Sequence, residues 1–201
     1  MFELNLIKIR TNMAKAISMV VGEVRFSYLH VFEPWSADGT SENYTASLLI
    51  DKKDTTLVSR INDAIKQAYE AAVTETWGGK RPPLKNVSPL RDGDEPKNDG
   101  TDRGESYAGR WFLNAKSKSQ PGVVDRNKQP IIDKDEFYSG CYGYASIAFR
   151  GYLNNGKMGI SVYLNNLLKS KDGEPLGNAK TDAAADFAGI NIPGGDELDN
   201  L

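Results

Sequence analysis

The stretch AISMVVGEVRFSYLHVF, residues 16–32, is the part of the chain that decides its fold. Apolar residues alternate with small or polar residues on both sides of Gly22, and the apolar phase shifts at that glycine. Such alternation indicates a half-buried strand, and a glycine in the middle of a strand allows it to bend. The stretch therefore predicts a long strand that turns the corner of a small β-barrel. The predicted core side consists of Ile17, Met19 and Val21 before the bend and of Val24, Phe26 and Tyr28 after it.

The same alternation predicts further strands over residues 44–50, 110–117, 141–152 and 158–168. Asn154-Asn155-Gly156 lies between the last two, and Asn-Gly is a strong signal for a hairpin turn. The strands do not alternate with helices, so a parallel sheet built from strand-helix-strand units is disfavoured.

One amphipathic helix is predicted between the second and third strands, over about residues 54–77. Apolar residues recur at helical spacing from Leu57 to Ala72, Asp54 can cap the first turn, and Gly78-Gly79 ends the pattern. A mainly β chain with five curved strands and one helix predicts an OB-fold five-stranded barrel, a small barrel that accommodates a helix between strands.

Charge is unevenly distributed, although the formal net charge is only −2. The long loop over residues 78–106 has four bases and no acid in 78–91, then six acids and two bases in 92–105. Residues 181–201 contain five acids and no base. Basic stretches followed by an acidic end are typical of a polyanion-binding domain with a separate interaction tail.

These changes in composition divide the chain into three parts. Residues 1–12 precede a start-like Met13-Ala14-Lys15 and are interpreted as an N-terminal extension. Residues 13–178 form the predicted OB-fold domain, and residues 179–201 form a flexible acidic tail.

The composition disfavours most kinds of enzyme. Cys141 is the one cysteine and His30 the one histidine, so an intrachain disulfide, a Cys-rich zinc module and a His-rich metal site are excluded. The acids that begin at Asp92 do not fit a calcium-binding EF-hand loop, because Pro96 and Lys97 occupy its fifth and sixth positions. We expect packing roles for His30 and Cys141, and no catalytic centre, metal or cofactor. No apolar run approaches the ~18 residues of a membrane span.

The outward sides of the last three predicted strands share one chemistry. Side chains alternate between the two faces of a strand, so Trp111, Leu113 and Ala115 are expected to face the core. The opposite faces of these strands combine aromatic rings with Arg, Lys and amide side chains. That combination suits single-stranded nucleic acid, because bases stack on rings and cations neutralise phosphates. The predicted contacts are Lys80, Arg81, Lys85, Arg126 and Lys128 in loops, and Arg110, Phe112, Lys116, Lys118, Tyr142, Tyr144, Arg150 and Tyr152 on strands.

Several stretches carry a family resemblance: residues 80–85 (KRPPLK), 89–95 (PLRDGDE), 109–116 (GRWFLNAK), 120–125 (QPGVVD), 137–142 (FYSGCY) and 159–165 (GISVYLN). Over about residues 13–176, the chain resembles bacteriophage OB-fold single-stranded-DNA-binding proteins and, more distantly, the T7-type phage protein. The resemblance implies a protein that is not an enzyme and that binds single-stranded DNA without sequence preference. It places this activity in the host cytoplasm, during phage replication and recombination.

The resemblance also implies partners. In such proteins the acidic C-terminus contacts replisome proteins and competes with DNA for the basic groove, and members of the wider group form homodimers. This chain ends in Leu201, whereas related tails end in phenylalanine. Two other functions stay open from the sequence: a recombination protein that anneals single strands, and a structural or assembly barrel that does not bind DNA.

Overall fold

The computed structural model describes residues 15–36, 39–177 and 188–190. Its elements, in chain order, are β1 (Ile17–Trp35), β2 (Asn43–Asp51), α1 (Thr55–Glu75), α2 (Leu84–Val87), β3 (Arg91–Asp92), β4 (Arg110–Ser117), β5 (Gly122–Val124), β6 (Tyr142–Asn154) and β7 (Lys157–Lys171). The predicted extension over residues 1–12 lies outside the described residues, and so does the predicted acidic tail except for residues 188–190.

Five of these strands close into a barrel. β2 pairs antiparallel with β1 and β4, and β6 pairs antiparallel with β1 and β7. A parallel pair between Lys116 of β4 and Tyr163 of β7 closes the ring. The short strands β3 and β5 extend the sheet beyond the ring, along β4 and β7. The prediction of a mainly β, five-stranded OB-type barrel is confirmed.

β1 bends at Gly22, as the sequence predicts. The pairing of β1 with β6 shifts between Val21 and Val24, and both valine side chains are buried. Gly22 has a φ of 152°, and the ring of Tyr144 lies against it, so a side chain at this position would be strained and would collide. The glycine therefore lets the buried side of β1 change phase by one residue.

A second irregularity in β1 shows that the prediction of a core position for Tyr28 is wrong. The pairing of β1 with β2 shifts between Ser27 and His30, and Tyr28 adopts a φ of 46°. This conformation turns the ring of Tyr28 out of the core, and the residue is 60% exposed. The end of β1 thus contributes an aromatic side chain to the outer surface of the barrel.

α1 confirms the predicted helix. Asp54 accepts a hydrogen bond from the backbone N–H of Leu57 at 2.9 Å, which caps the first turn. The apolar stripe of α1 packs against β1 and β6, and Ala72 fits closely against Gly151 of β6. Trp77 follows the helix, is buried, and donates its indole N–H to the backbone oxygen of Tyr152 at 2.8 Å.

The inner faces of the strands follow the predicted alternation. Buried side chains include Leu113 and Ala115 of β4, Ile147 and Phe149 of β6, and Ile160, Val162 and Leu164 of β7. Trp111 is partly buried against the same core. Cys141 is fully buried next to them, and burial raises the pKa of its thiol to about 11.

The long loop over residues 78–106 is folded onto the barrel. It contains α2, β3 and the start of a 3₁₀ turn at Glu105–Tyr107. Lys52 forms ion pairs with Asp92 and with Asp94, the second at 2.7 Å, and Asp94 also accepts the backbone N–H of Gly109. Tyr107 packs on the outer face of β2 and β4, so residues 92–107 are held over that face.

Candidate nucleic-acid interface

A pocket of 410 Å³ opens on the outer face of β1, β2 and β4, beside residues 92–107. β2 and β4 are the second and third strands of the barrel, and this face is where OB-folds bind oligonucleotides. We name it the aromatic pocket; its lining comprises rings (Tyr28, His30, Trp35, Tyr107, Phe112), cations (Lys97, Arg103, Lys116) and small or polar residues (Thr45, Ala46, Ser47, Asn114, Ala115).

Two of the rings at the pocket are exposed enough to stack on a ligand. Tyr28 is 60% exposed and Trp35 is 49% exposed. His30 stacks on Trp35, with 5.1 Å between ring centres and 15° between ring planes. Large exposed rings on a folded surface commonly mark binding sites, because burying them releases water from apolar area.

The three cations of the aromatic pocket make no ion pair with any residue that the structure describes. Arg103 donates to the backbone oxygens of Glu95 and Pro96, at 2.9 and 3.3 Å, and its guanidinium lies 4.9 Å from the centre of the Phe112 ring. The acids Asp94, Glu95, Asp102 and Glu105 of the same loop line a neighbouring pocket, which Arg103 borders as well. The acid-rich segment therefore presents its two bases to the aromatic pocket, and none of the described acids lines that pocket.

Phe112 is buried, whereas the prediction of a stacking residue requires an exposed ring. It points away from the main core, as its strand position requires, but residues 92–107 cover it and it is only 2% exposed. Its ring packs edge-on against Tyr107, with 5.1 Å between centres, and Leu49 completes this small apolar cluster. Burial raises the pKa of the Tyr107 hydroxyl. Phe112 forms the floor of the aromatic pocket, and the exposed rings stand around it.

His30 packs against Trp35, as its predicted packing role implies, and it also lines the aromatic pocket. It is half-buried, and desolvation lowers the pKa of its imidazole from the ordinary value of 6.5. The ring is therefore neutral at pH 7 and presents a flat surface rather than a charge.

A second group of residues lies near the place where β4 meets β7, and Lys116, Arg150 and Tyr152 among them are predicted contacts. We name Lys116, Arg150, Tyr152, Ser161 and Tyr163 the seam patch. The Arg150 guanidinium lies 5.7 Å from the centre of the Tyr163 ring, and Arg150 pairs across the strands with Ser161. Tyr152 leans over Gly159, and a groove of 280 Å³ runs beside it to Lys116.

The predicted tyrosines at the other end of β6 lie in a different environment. Tyr142 lies between two cations: the Arg25 guanidinium is 5.7 Å and the Lys171 ammonium 4.8 Å from its ring centre. Lys171 is ion-paired with Glu23, and Arg25 donates to the backbone oxygen of Glu174 at 2.6 Å. We name Glu23, Arg25, Tyr142, Tyr144 and Lys171 the Tyr142 cluster.

The charged groups of the Tyr142 cluster form ion pairs and hydrogen bonds with other groups of the protein. Hydrogen bonds from Lys171 and then from Ser170 lower the pKa of Glu23. Arg126 donates to the backbone oxygen of Ser170, so its guanidinium is also engaged. Tyr144 is 40% exposed but lies flat against Gly22. Eight residues separate Tyr144 from Tyr152, a span of roughly 26 Å along a strand. The predicted rings of β6 thus share one face of the strand but extend along most of its length rather than forming one compact patch.

Three of the remaining predicted contacts bond to other groups of the protein. Arg81 forms a two-pronged ion pair with Glu70 of α1, at 3.0 and 2.7 Å. Lys118 donates to Ser41 and to the backbone of Glu42, and Arg110 donates to the backbone of Ser106. Lys80 and Lys128 are exposed in loops, and Lys85 is exposed on α2.

Sequence reasoning missed most of the aromatic pocket. It placed Tyr28 in the core, did not include Trp35 among the predicted contacts, and counted Lys97 and Arg103 within an acidic segment. A usable signal was the position of Trp35 at the junction of β1 with the β1–β2 loop, because that loop borders the ligand-binding face in OB-folds.

The described residues contain neither a candidate metal-binding cluster nor a helix that could span a membrane. No group of three or more His, Cys, Asp or Glu side chains is arranged there to hold a metal ion. No helix of that part of the chain is long and apolar enough to cross a membrane.

Comparison with known proteins links this geometry to one family. The family model of the Enterobacter phage Enc34 ssDNA-binding protein matches residues 17–198. Protein p50 of Acyrthosiphon pisum secondary endosymbiont phage 1 is 34% identical over 188 residues, which cover 89% of this chain and 96% of that protein.

Solved structures share the fold. The single-stranded DNA-binding protein of bacteriophage Enc34 in complex with ssDNA superposes with a TM-score of 0.69 and 24% identity, covering 80% of this chain and 90% of that chain. The gp2.5 single-stranded DNA-binding protein of bacteriophage T7 superposes with a TM-score of 0.54 and 16% identity, covering 90% and 98%. A match over most of the chain and a relative above 30% identity lead to one conclusion: the chain belongs to the family of the Enterobacter phage Enc34 ssDNA-binding protein.

Proposed function

We propose that this protein binds single-stranded DNA without sequence preference, and that the aromatic pocket is its main contact surface. The observation that carries the proposal is the union of exposed rings and unpaired cations on one side of an OB-type barrel. Membership of a family described as phage ssDNA-binding proteins supports it, and so does the shared fold of the Enc34 protein solved with ssDNA.

The rings and the cations of the pocket contribute to binding in different ways. Each base that stacks on an aromatic side chain contributes about 1–3 kcal/mol, and the stacking tolerates every base because each has a flat face. Lys97, Arg103 and Lys116 neutralise phosphates, which gives affinity without reading sequence. Duplex DNA keeps its bases stacked on each other, so it offers no free face to Tyr28 or Trp35.

The biological setting is proposed in the same terms. The protein acts without catalysis in phage DNA replication and recombination in the host cytoplasm, as a domain over residues 13–178 with tails at both ends. Its other partners are replisome proteins, through the acidic residues 179–201, and a second copy of itself in a homodimer. The end of the described domain supports a role for the tail at the DNA site, because Gly177 lines a groove together with Tyr28, His30 and Arg103.

Fluorescence anisotropy with labelled oligo-dT at several salt concentrations tests the proposal. We expect the logarithm of the binding constant to fall by about 0.7 per logarithmic unit of salt for each phosphate neutralised, and a matched duplex to bind more weakly. Absence of binding at low salt, or measurable binding without salt dependence, contradicts the proposal. Oligonucleotides of mixed sequence serve as the control for sequence preference.

A further inference from the structure

The seam patch contains a cation that the protein leaves unsatisfied. The Nε atom of Arg150 is buried and has no hydrogen-bond partner in the described part of the chain. No ion pair of Arg150 is present there either, and its guanidinium lies against the ring of Tyr163. Nε alone is buried without a partner, so the two terminal nitrogens of the guanidinium are the donors that an anion from solvent can reach.

The neighbours of Arg150 indicate which class of anion it can bind. Tyr163 is 41% exposed and Tyr152 is 40% exposed, so the cation stands between two rings that are open to solvent. None of the described acids lines the adjoining groove, to which Arg91 and Lys116 contribute positive charge. Rings alternating with cations match a chain of bases and phosphates better than an isolated phosphate, which has no use for the rings.

Lys116 connects the seam patch to the aromatic pocket. It lines both the aromatic pocket and the groove at the seam, and it pairs directly with Tyr163 across the closing strands. Arg150 lies one strand further, on β6, so the distance from Lys116 to Arg150 is about two strand spacings, roughly 10 Å.

We infer that the seam patch is a second subsite for the same DNA strand, in which Arg150 binds a phosphate and Tyr163 stacks on a base. The strand leaves the aromatic pocket at Lys116 and crosses β7 to reach Arg150. This inference rests on the proposed function and deepens it, because it gives the bound strand a direction across the barrel and a minimum length.

The test compares two lengths of oligo-dT on wild type and on Arg150→Met, whose side chain keeps the apolar packing of the arginine stem. OB-folds bind about 4–16 nucleotides, so an oligonucleotide of about 4 fits the aromatic pocket alone and one of about 10 reaches the seam patch. We expect Arg150→Met to bind the long oligonucleotide about tenfold more weakly than wild type does. The slope of the logarithm of the binding constant against the logarithm of salt should fall by about 0.7 for the long oligonucleotide. The affinity for the short oligonucleotide should not change. The matched control is Arg60→Met, which removes an exposed cation from α1 and should change neither oligonucleotide.

A second variant keeps the test decisive if Arg150→Met unfolds, which its thermal melting curve reports. Tyr163→Ala removes an exposed ring, and we expect the same selective loss for the long oligonucleotide. Equal affinities and slopes for wild type and both variants on the long oligonucleotide overturn the inference while leaving the proposed function intact. Binding of two short oligonucleotides per chain also overturns it, because the seam patch then holds a separate strand. If wild type binds neither length, both the proposed function and the seam subsite are contradicted.

Discussion

The aromatic pocket and the Tyr142 cluster contain the same types of side chain and differ in how their charges are satisfied. In the pocket, Lys97, Arg103 and Lys116 form no ion pair with a described residue, and Trp35 and Tyr28 are open to solvent. In the cluster, Lys171 is paired with Glu23 and the Tyr142 ring is covered by cations on both sides. A run of rings and bases therefore indicates a DNA site only where the bases are not held in ion pairs with acids of the protein.

The largest expected effect that separates these two regions is the loss of one stacking ring. Trp35→Ala should weaken binding of oligo-dT by about 1–3 kcal/mol, because a base loses its aromatic surface. The matched variant Tyr142→Ala also removes a ring but should bind oligo-dT like wild type. Anisotropy titrations of both variants at one salt concentration measure the difference, and equal losses would show that the two regions do not differ in the way described.

The next effect concerns a single cation in each region. Lys116→Met should lower the salt slope of binding by about 0.7, since one phosphate contact is lost. Lys171→Met should leave the slope unchanged, because Glu23 already occupies that ammonium group. The measurement is the binding constant at four or five salt concentrations. A lower slope for Lys171→Met would mean that DNA displaces Glu23 and uses the cluster after all.

A smaller effect is expected from pH, through His30. Burial lowers the pKa of His30 in the free protein, and nearby phosphates favour the charged ring, so binding takes up a proton. Affinity should therefore rise as pH falls from about 7.5 to 5.5, by less than about tenfold, since one pKa unit corresponds to that factor. The same lowered pKa acts on folding in the opposite sense: the contribution of neutral His30 to the stability of the free protein decreases as pH falls below 6.5. His30→Gln should abolish both pH effects, and an unchanged pH profile of binding in this variant would exclude His30 as their source.

The smallest effect is on stability and tests the internal role of the Tyr142 cluster. The pKa of Glu23 is lowered by its hydrogen bonds with Lys171 and Ser170, so its contribution to stability is present above pH 4.5 and is lost as pH falls through the lowered pKa. Glu23→Gln should make urea unfolding less dependent on pH below that value while leaving oligo-dT affinity at pH 7.5 unchanged. Identical pH dependence in wild type and Glu23→Gln would show that this ion pair does not contribute.

The sequence was sufficient to predict the barrel and insufficient to predict the pocket. Gly22, the alternation over residues 110–117 and the cap at Asp54 are local signals, and the structure follows each of them. The pocket depends on two non-local features. One is the backbone irregularity that turns Tyr28 outward, and the other is the packing of residues 92–107 on β2 and β4, which buries Phe112. Strand parity gives the face of a residue but not whether a distant loop covers that face.

The same limit explains why the charge pattern of the sequence did not predict where the charged side chains lie. Counting acids over residues 92–105 gave a negative segment, whereas the fold directs Lys97 and Arg103 to the pocket and most of the acids elsewhere. Arg81 shows the reverse case, since it belongs to a basic stretch in sequence but is bound by Glu70 of α1. Net charge of a segment predicts little when its side chains point to different surfaces.

The most direct measurement of the central claim uses the three tryptophan indole N–H signals in a nitrogen–proton NMR spectrum, assigned by single Trp→Phe variants. Trp35 is exposed at the aromatic pocket, whereas Trp77 is 2% exposed and hydrogen-bonded to Tyr152. On saturation with oligo-dT, we predict a large shift of the Trp35 signal and little or no shift of the Trp77 signal. An unmoved Trp35 signal in a fully bound sample would contradict the assignment of the aromatic pocket as the DNA-binding surface.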